Sequence, residues 1–418
     1  MLKYLRRTGI VIFFLIIFNI LPCSYIVINA TDSYYNVEYQ DTGCGISAAP
    51  ITSYLSYNGD EMMTVQGGDG KDVIVKYYNS DYKLISSRVI ARELDLFGGF
   101  YETNDYYFIL TGQKNSQCSD YTECYRITKY DKEWNKISDA DISGTNTVIP
   151  FYCGSVRFAE NYNYLYMVTS HLRYDGHQAN ISLRLNMKTM TIDVVGECYV
   201  AHSLNQFIQI ENDTVTTLDL GDAYPSALVL CRHDMLSFWD SFAMGTPVPD
   251  IYSADGTCEF AEIYTYSRNE TVPISAGALE LTDYSYLVTG IKYDYIDDYG
   301  TGNIFMASIS KDDMSVKTNY ITSYKSGDCY TATPHLVRVS DEYFILIWAR
   351  YDDDTVRYTL INEQGQKVGN EYSIEGDLSD CVPIIVNNKV IWFVVDGTEV
   401  KFYEIDIETM DASSHSEK

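Results

Sequence analysis

A motif of strand, tight polar turn and strand recurs seven times along this chain, and it limits the fold more than any other feature. The copies are ITSYLSYNGDEMMTVQ from Ile51, GGFYETNDYYFILTG from Gly98, SVRFAENYNYLYMVTS from Ser155, LNQFIQIENDTVTTLDL from Leu204, GALELTDYSYLVTG from Gly277, HLVRVSDEYFILIWA from His335 and PIIVNNKVIWFVV from Pro383. In each, Asn, Asp or Gly separates two apolar runs, which is the chemistry of a tight β-hairpin. A second, more polar hairpin follows, as in VIVKYYNSDYKLISS and YRITKYDKEWNKIS. Apolar inner strands and more polar outer strands are the gradient of a propeller blade. No long amphipathic helix competes, and an array of β-sandwiches would need a linker that the sequence lacks. At roughly fifty residues per unit, the 418 residues predict an all-β fold, a seven-bladed β-propeller of four-stranded antiparallel blades.

The same pattern predicts the boundaries. A single propeller domain is expected over residues 31–410. The last unit has three strands before ETMDASSHSEK, so residues 411–418 read as a disordered tail. An unpaired edge is a liability. The segment YYNVEYQD, from Tyr34, is therefore expected to supply the outer strand of the last blade. Residues 1–30 begin with the basic MLKYLRR and continue as an uncharged apolar run, which predicts a signal peptide ending at Ala30 or an uncleaved N-terminal anchor. Either places the protein outside the cell or on its surface.

Ten cysteines in an exported chain suggest disulfides. Cys118 and Cys124 flank a short loop and are expected to close it. Cys231 and Cys258 bracket a long insertion in the fourth unit and are expected to staple it. The net charge of −28 repels phosphate backbones, so nucleic acid is excluded as a partner, and a membrane is reached only through the N-terminal segment. Thirty-nine tyrosines favour strands and also offer flat stacking surface to sugars or protein.

Strand parity sorts the connections. The first-to-second and third-to-fourth turns of each blade share one rim. The second-to-third loops and the crossings between blades share the other. The longer, chemically richer connections fall on this second rim, and loops on a rigid scaffold carry function. SHLRYDGHQ brings His171, His177 and Gln178. VAHSLNQ brings His202, Asn205 and Gln206. DLGDAYPS brings Asp219, Asp222 and Tyr224, and SGDCYTATPH ends at His335. These ten residues form the candidate ligand-binding set, for a glycan or a surface protein.

Two rival readings use the same rim. A hydrolase or lyase would place His171, His177, His202 and Asp222 at the channel mouth. Its weakness is that Ser170–His171 and His202–Ser203 are sequence neighbours, and neighbours on a strand point to opposite faces. A structural scaffold needs no site at all. The histidine spacing matches no known metal-ligand pattern, so no metal centre or cofactor is expected. The acidic stretches Asp294–Asp298 and Asp352–Asp354 are calcium candidates without EF-hand spacing.

The stretches HQAN, HSLNQF and GDAYP, with the later TPHLVRVSDEYFILIWA and LSDCVPIIVNNKVIWF, resemble uncharacterised Tyr-rich β-propeller proteins exported by Gram-positive bacteria. The resemblance extends over most of the chain after about Gly98. It implies a propeller and an exported bacterial origin, and it brings no activity with it. Ser226 stands after GDAYP where the resemblance implies an Arg.

Overall fold

The computed structural model describes residues 51–67, 72–154, 156–196, 203–222, 226–234, 258–267, 273–294, 301–325, 334–350, 352–396 and 399–417. Their strands form seven antiparallel sheets, each laid down in chain order from the inside outward. Blades one to seven span 53–91, 96–143, 147–196, 203–265, 274–320, 335–375 and 384–416. The innermost strands touch between blades three and four, four and five, and five and six, and the ring closes where blade seven meets blade one. Blade three has an extra strand, Thr147–Pro150, paired with the far end of Tyr164–Arg173.

The burial follows from this packing. A second strand is flanked by a blade on each side, so both of its faces are apolar. Tyr343–Arg350 is buried at six consecutive positions, Phe344 to Ala349. The outermost strand of blade one, Leu84–Ala91, is mostly exposed. Blades join through side chains that interlock between sheets. Trp392 and Tyr403 of blade seven stack at 5.2 Å between ring centres, against Ile345 and Ile347 of blade six. Phe151 fills a space that Gly98 leaves open, since a Cβ there would stand 2.3 Å from its ring. The inner turn of blade seven uses Asn387 and Asn388 at φ 49° and 65°, the left-handed backbone that tight hairpins require.

The last blade departs from expectation. Its outer strand is Ala412–Ser416, paired with Glu399–Asp406. The tail read as disordered is therefore a strand, and it occupies the place assigned to the segment from Tyr34, which lies outside the described residues. The cause is a turn hidden in ETMD. Met410 adopts φ 60° and donates its amide to Asp406 O at 2.9 Å, reversing the chain. A polar SSHS suits an outer strand that faces water.

Both disulfide expectations fail. Cys118 is exposed, while the Cys124 thiol is buried against the carbonyls of Thr122, Gly144 and Thr147, and neither is bridged. Cys231 is not bridged either. The register sets Phe260 opposite Cys231 and places Cys258 opposite His233, two residues out of step.

The seam between blades seven and one is held without strand exchange. Leu55, Met62 and Tyr78 pack on Phe393 and Phe402. Asp380 Oδ2 accepts from Thr52 N at 2.7 Å and from Thr52 Oγ1 at 2.9 Å. Tyr82 donates to Glu404 at 2.5 Å and stacks on His415 at 4.6 Å. Lys76 pairs with Glu417 at 3.0 Å. Burial alone would raise the Glu404 pKa, but hydrogen bonds from Lys389, Tyr82 and Ser413 hold it at about 2. Glu404→Gln is expected to cost ~1–3 kcal/mol in chemical denaturation at neutral pH. A loss no greater than that of the exposed control Glu408→Gln would show that this carboxylate does not hold the seam.

Candidate functional site

The residues singled out by parity do sit toward one rim, but most are framework. The stretch read as a loop at Ser170–Gln178 is largely strand. Tyr164–Arg173 pairs with Gln178–Asn186, leaving a turn closed by Arg173 N to His177 O at 2.8 Å. His171 is fully buried, and its Nδ1 meets Thr147 Oγ1 at 2.7 Å. Burial and the nearby Arg173 charge hold its pKa down to about 3. His335 contacts Ser379 O through Nε2 at 3.0 Å, and burial lowers its pKa to about 4. His177 is exposed at the turn, with Gln178 buried beside it.

The structure brings some of the set together. Gln206 and Asp219 face one another across blade four, and Asp219 accepts from Asn180 of blade three at 2.7 Å. Asn205 Nδ2 reaches Ala276 O of blade five at 3.2 Å. Ser170 and Gln206 approach each other over Gly154, where a Cβ would meet either within 2.6 Å. His171 belongs to neither group. It alternates with Ser170 along its strand and so faces the other way, toward Thr147. His202, Tyr224 and the side chain of Asp222 lie outside the described residues. Among the described residues no group of three or more His, Cys, Asp or Glu is arranged to hold a metal ion. At the calcium candidate Asp352–Asp354, Asp352 pairs with Arg350, and Asp353 pairs with Arg357 at 2.5 Å.

A concave surface lies on the opposite rim. A groove of 1230 Å³ runs across the turns of blades one, two and three. Tyr57, Tyr77, Tyr106, Tyr107 and Tyr162 line it, with Tyr162 81% exposed. Its cations are largely engaged by the protein itself. Lys129 donates to Met187 O at 2.8 Å and lies 3.6 Å from the Tyr106 ring centre, and its burial lowers its pKa. Lys132 pairs with Glu102 at 2.7 Å and covers Tyr107 at 4.3 Å. Arg88 donates to Glu133 O at 2.5 Å. The carboxylates of Glu61, Asp105 and Glu133 carry no hydrogen bond or ion pair among the described residues, nor do the side chains of Asn104 and Asn163. The groove therefore presents hydrogen-bonding amides, acceptor carboxylates, the exposed ring of Tyr162 and the partly exposed rings of Tyr57, Tyr77 and Tyr106.

Parity reasoning set this rim aside because its turns are short. The available signal was aromatic: tyrosines abut the turns in YNGD, TNDYY and NYNY.

No family description matches the chain, and no curated protein matches it. Among solved structures it is similar to an uncharacterised protein of Listeria monocytogenes, with 9% identity, TM-score 0.47, and coverage of 90% of this chain and 97% of that one. It is also similar to a subtype N10 neuraminidase-like protein of A/little yellow-shouldered bat/Guatemala, with 9% identity, TM-score 0.44, and coverage of 75% and 94%.

His171, buried, and His335, partly buried, predict a pH response. Each is held neutral in the fold, with its pKa below the unfolded value near 6.5. The unfolded chain therefore binds the extra protons, and stability present above about pH 6.5 falls as the pH drops toward 4. Between pH 7.5 and 5 the loss is expected to be ~2 kcal/mol per histidine. Urea unfolding of wild type and His171→Gln would show the variant with the shallower pH dependence. Equal slopes would exclude His171 as a source.

Proposed function

We propose that this propeller is an exported binding protein that holds a glycan chain in the tyrosine-lined groove of blades one to three. One observation carries the reading: the exposed ring of Tyr162 and the partly exposed rings of Tyr57, Tyr77 and Tyr106 stand beside carboxylates and amides uncommitted among the described residues, while the lysines that line the groove are mostly tied down. Sugar hydroxyls donate to carboxylates, and the apolar faces of pyranose rings stack on tyrosine. The groove crosses several blades, which suits a chain of sugars better than a single ring. Export rests on the N-terminal segment, where a basic start precedes a long apolar run.

A second reading has its own support. The uncommitted Glu61, Asp105 and Glu133 also suit a basic polypeptide, whose lysines and arginines would find both carboxylates and aromatic faces.

The test is a binding screen with the protein from residue 31 onward, using neutral glycans immobilised beside a lysine-rich peptide. Glycan retention is expected, and Tyr162→Ala should weaken it by roughly fivefold to tenfold. His177→Ala, on the opposite rim, should leave it unchanged. Retention of the peptide alone would favour the polypeptide reading. Loss with His177→Ala but not with Tyr162→Ala would move the site to the other rim.

A further inference from the structure

Arg157 opens the innermost strand of blade three. Its Nε donates to Gln206 O at 3.3 Å, and its guanidinium lies 4.3 Å from the Phe207 ring centre. These contacts fix the plane of the fork. Its terminal amino groups make no hydrogen bond or ion pair among the described residues. The guanidinium is enclosed enough that burial draws its pKa down to about 10. An arginine held in one orientation, with its terminal donors unused among the described residues, suits a carboxylate, which matches the fork in two parallel bonds.

The opposite wall has the opposite character. In a ring of seven, blade three stands across the axis from the boundary between blades six and seven. At that boundary, His335 contacts Ser379 O through Nε2. A carbonyl can only accept, so Nε2 carries the proton and Nδ1 is left as an acceptor. The next residue along is Asp380, held in place by Thr52. The Asp380 charge reaches Arg157 and the Arg157 charge reaches His335, yet no ion pair joins Arg157 to Asp380. Tyr54 of blade one packs on Phe97 and Phe100. Its hydroxyl reaches Ile51 O at 3.3 Å, and it feels the charges of both Arg157 and Asp380. The two walls thus hold a guanidinium and a carboxyl whose pKa burial raises against the hydrogen bonds from Thr52, both partly removed from water and joined by no ion pair among the described residues, an arrangement that costs desolvation at both ends.

We propose that the axial channel binds a small zwitterionic amino carboxylate, with its carboxylate on the fork of Arg157 and its ammonium toward Asp380 and Nδ1 of His335. A solute with complementary charges at its two ends satisfies both walls at once. The site is separate from the groove and independent of what the groove holds.

The experiment is titration calorimetry of the protein with glycine, 3-aminopropionate and 4-aminobutyrate, each against the carboxylate and the alkylamine of equal length. One amino acid of the series, the one whose charge separation matches the channel, should bind at least about tenfold more tightly than either counterpart. Arg157→Met should abolish this binding. Arg157→Lys keeps the charge and the packing on Phe207 but loses the fork, and should weaken binding at least about fivefold with an unchanged melting temperature. Glycan binding in the groove should be the same in both variants. Equal affinity for amino acid and simple carboxylate, no binding by any member of the series, or wild-type binding by Arg157→Lys would each overturn the proposal.

Discussion

The innermost strand of every blade has one edge with no strand beside it, and in a ring those edges all face the axis. Buried backbone groups must find partners. Here the partners are side chains reaching across from adjacent blades. Arg157 donates to Gln206 O, Asn205 to Ala276 O, Gln209 to Leu279 O, and Arg338 to Leu281 O. His335 meets Ser379 O, and Thr52 N donates to Asp380. Each contact spans a blade boundary, so the chemistry that satisfies the inner edges also joins the sheets to one another.

That constraint explains where sequence reasoning succeeded and where it misled. The blades were legible because each hairpin carries its own turn residues and its own apolar strands, and the repeat multiplies the signal. The polar residues near the axis were legible as unusual, but their role was not. His335 and Asn205 look like ligand contacts in a sequence because polar groups on an apolar strand are rare. In the folded ring they complete the hydrogen bonding of the neighbouring blade. His171 instead meets the Thr147 side chain within its own blade. The outer strand of blade seven was missed because SSHS has no apolar alternation, and none is needed on a strand packed on one side only. The groove was missed because its residues are spread over five short turns of three blades, and only the ring gathers them.

The charge distribution follows a related logic. A chain of net charge −28 has few cations, and the structure places many of them in defined contacts. Lys129 and Lys132 lie over tyrosine rings, Arg88 holds a backbone carbonyl, and Arg350 and Arg357 hold the acidic loop Asp352–Asp354. With the bases spent on structure, the carboxylates left over define the character of the exposed surface. Arg157 is the contrast, a cation whose terminal donors are unused among the described residues of an acidic molecule.

Blade seven is built from contiguous chain, 384–416, like every other blade. Among the described residues no sheet takes a strand from the opposite terminus. Each blade can assemble as its own segment emerges, in order, and the final event is the lateral docking of one finished sheet against the first. The same feature sets how the ring fails. Among the described residues no hydrogen-bonded ladder crosses the boundary; side-chain contacts such as Tyr82 with Glu404 and Tyr78 with Glu417, the Lys76–Glu417 pair, the hold of Asp380 on Thr52 and an apolar contact are what tension would shear. The molecule is therefore a chain of seven self-sufficient leaves with one mechanical weak line, along which it opens before any leaf comes apart.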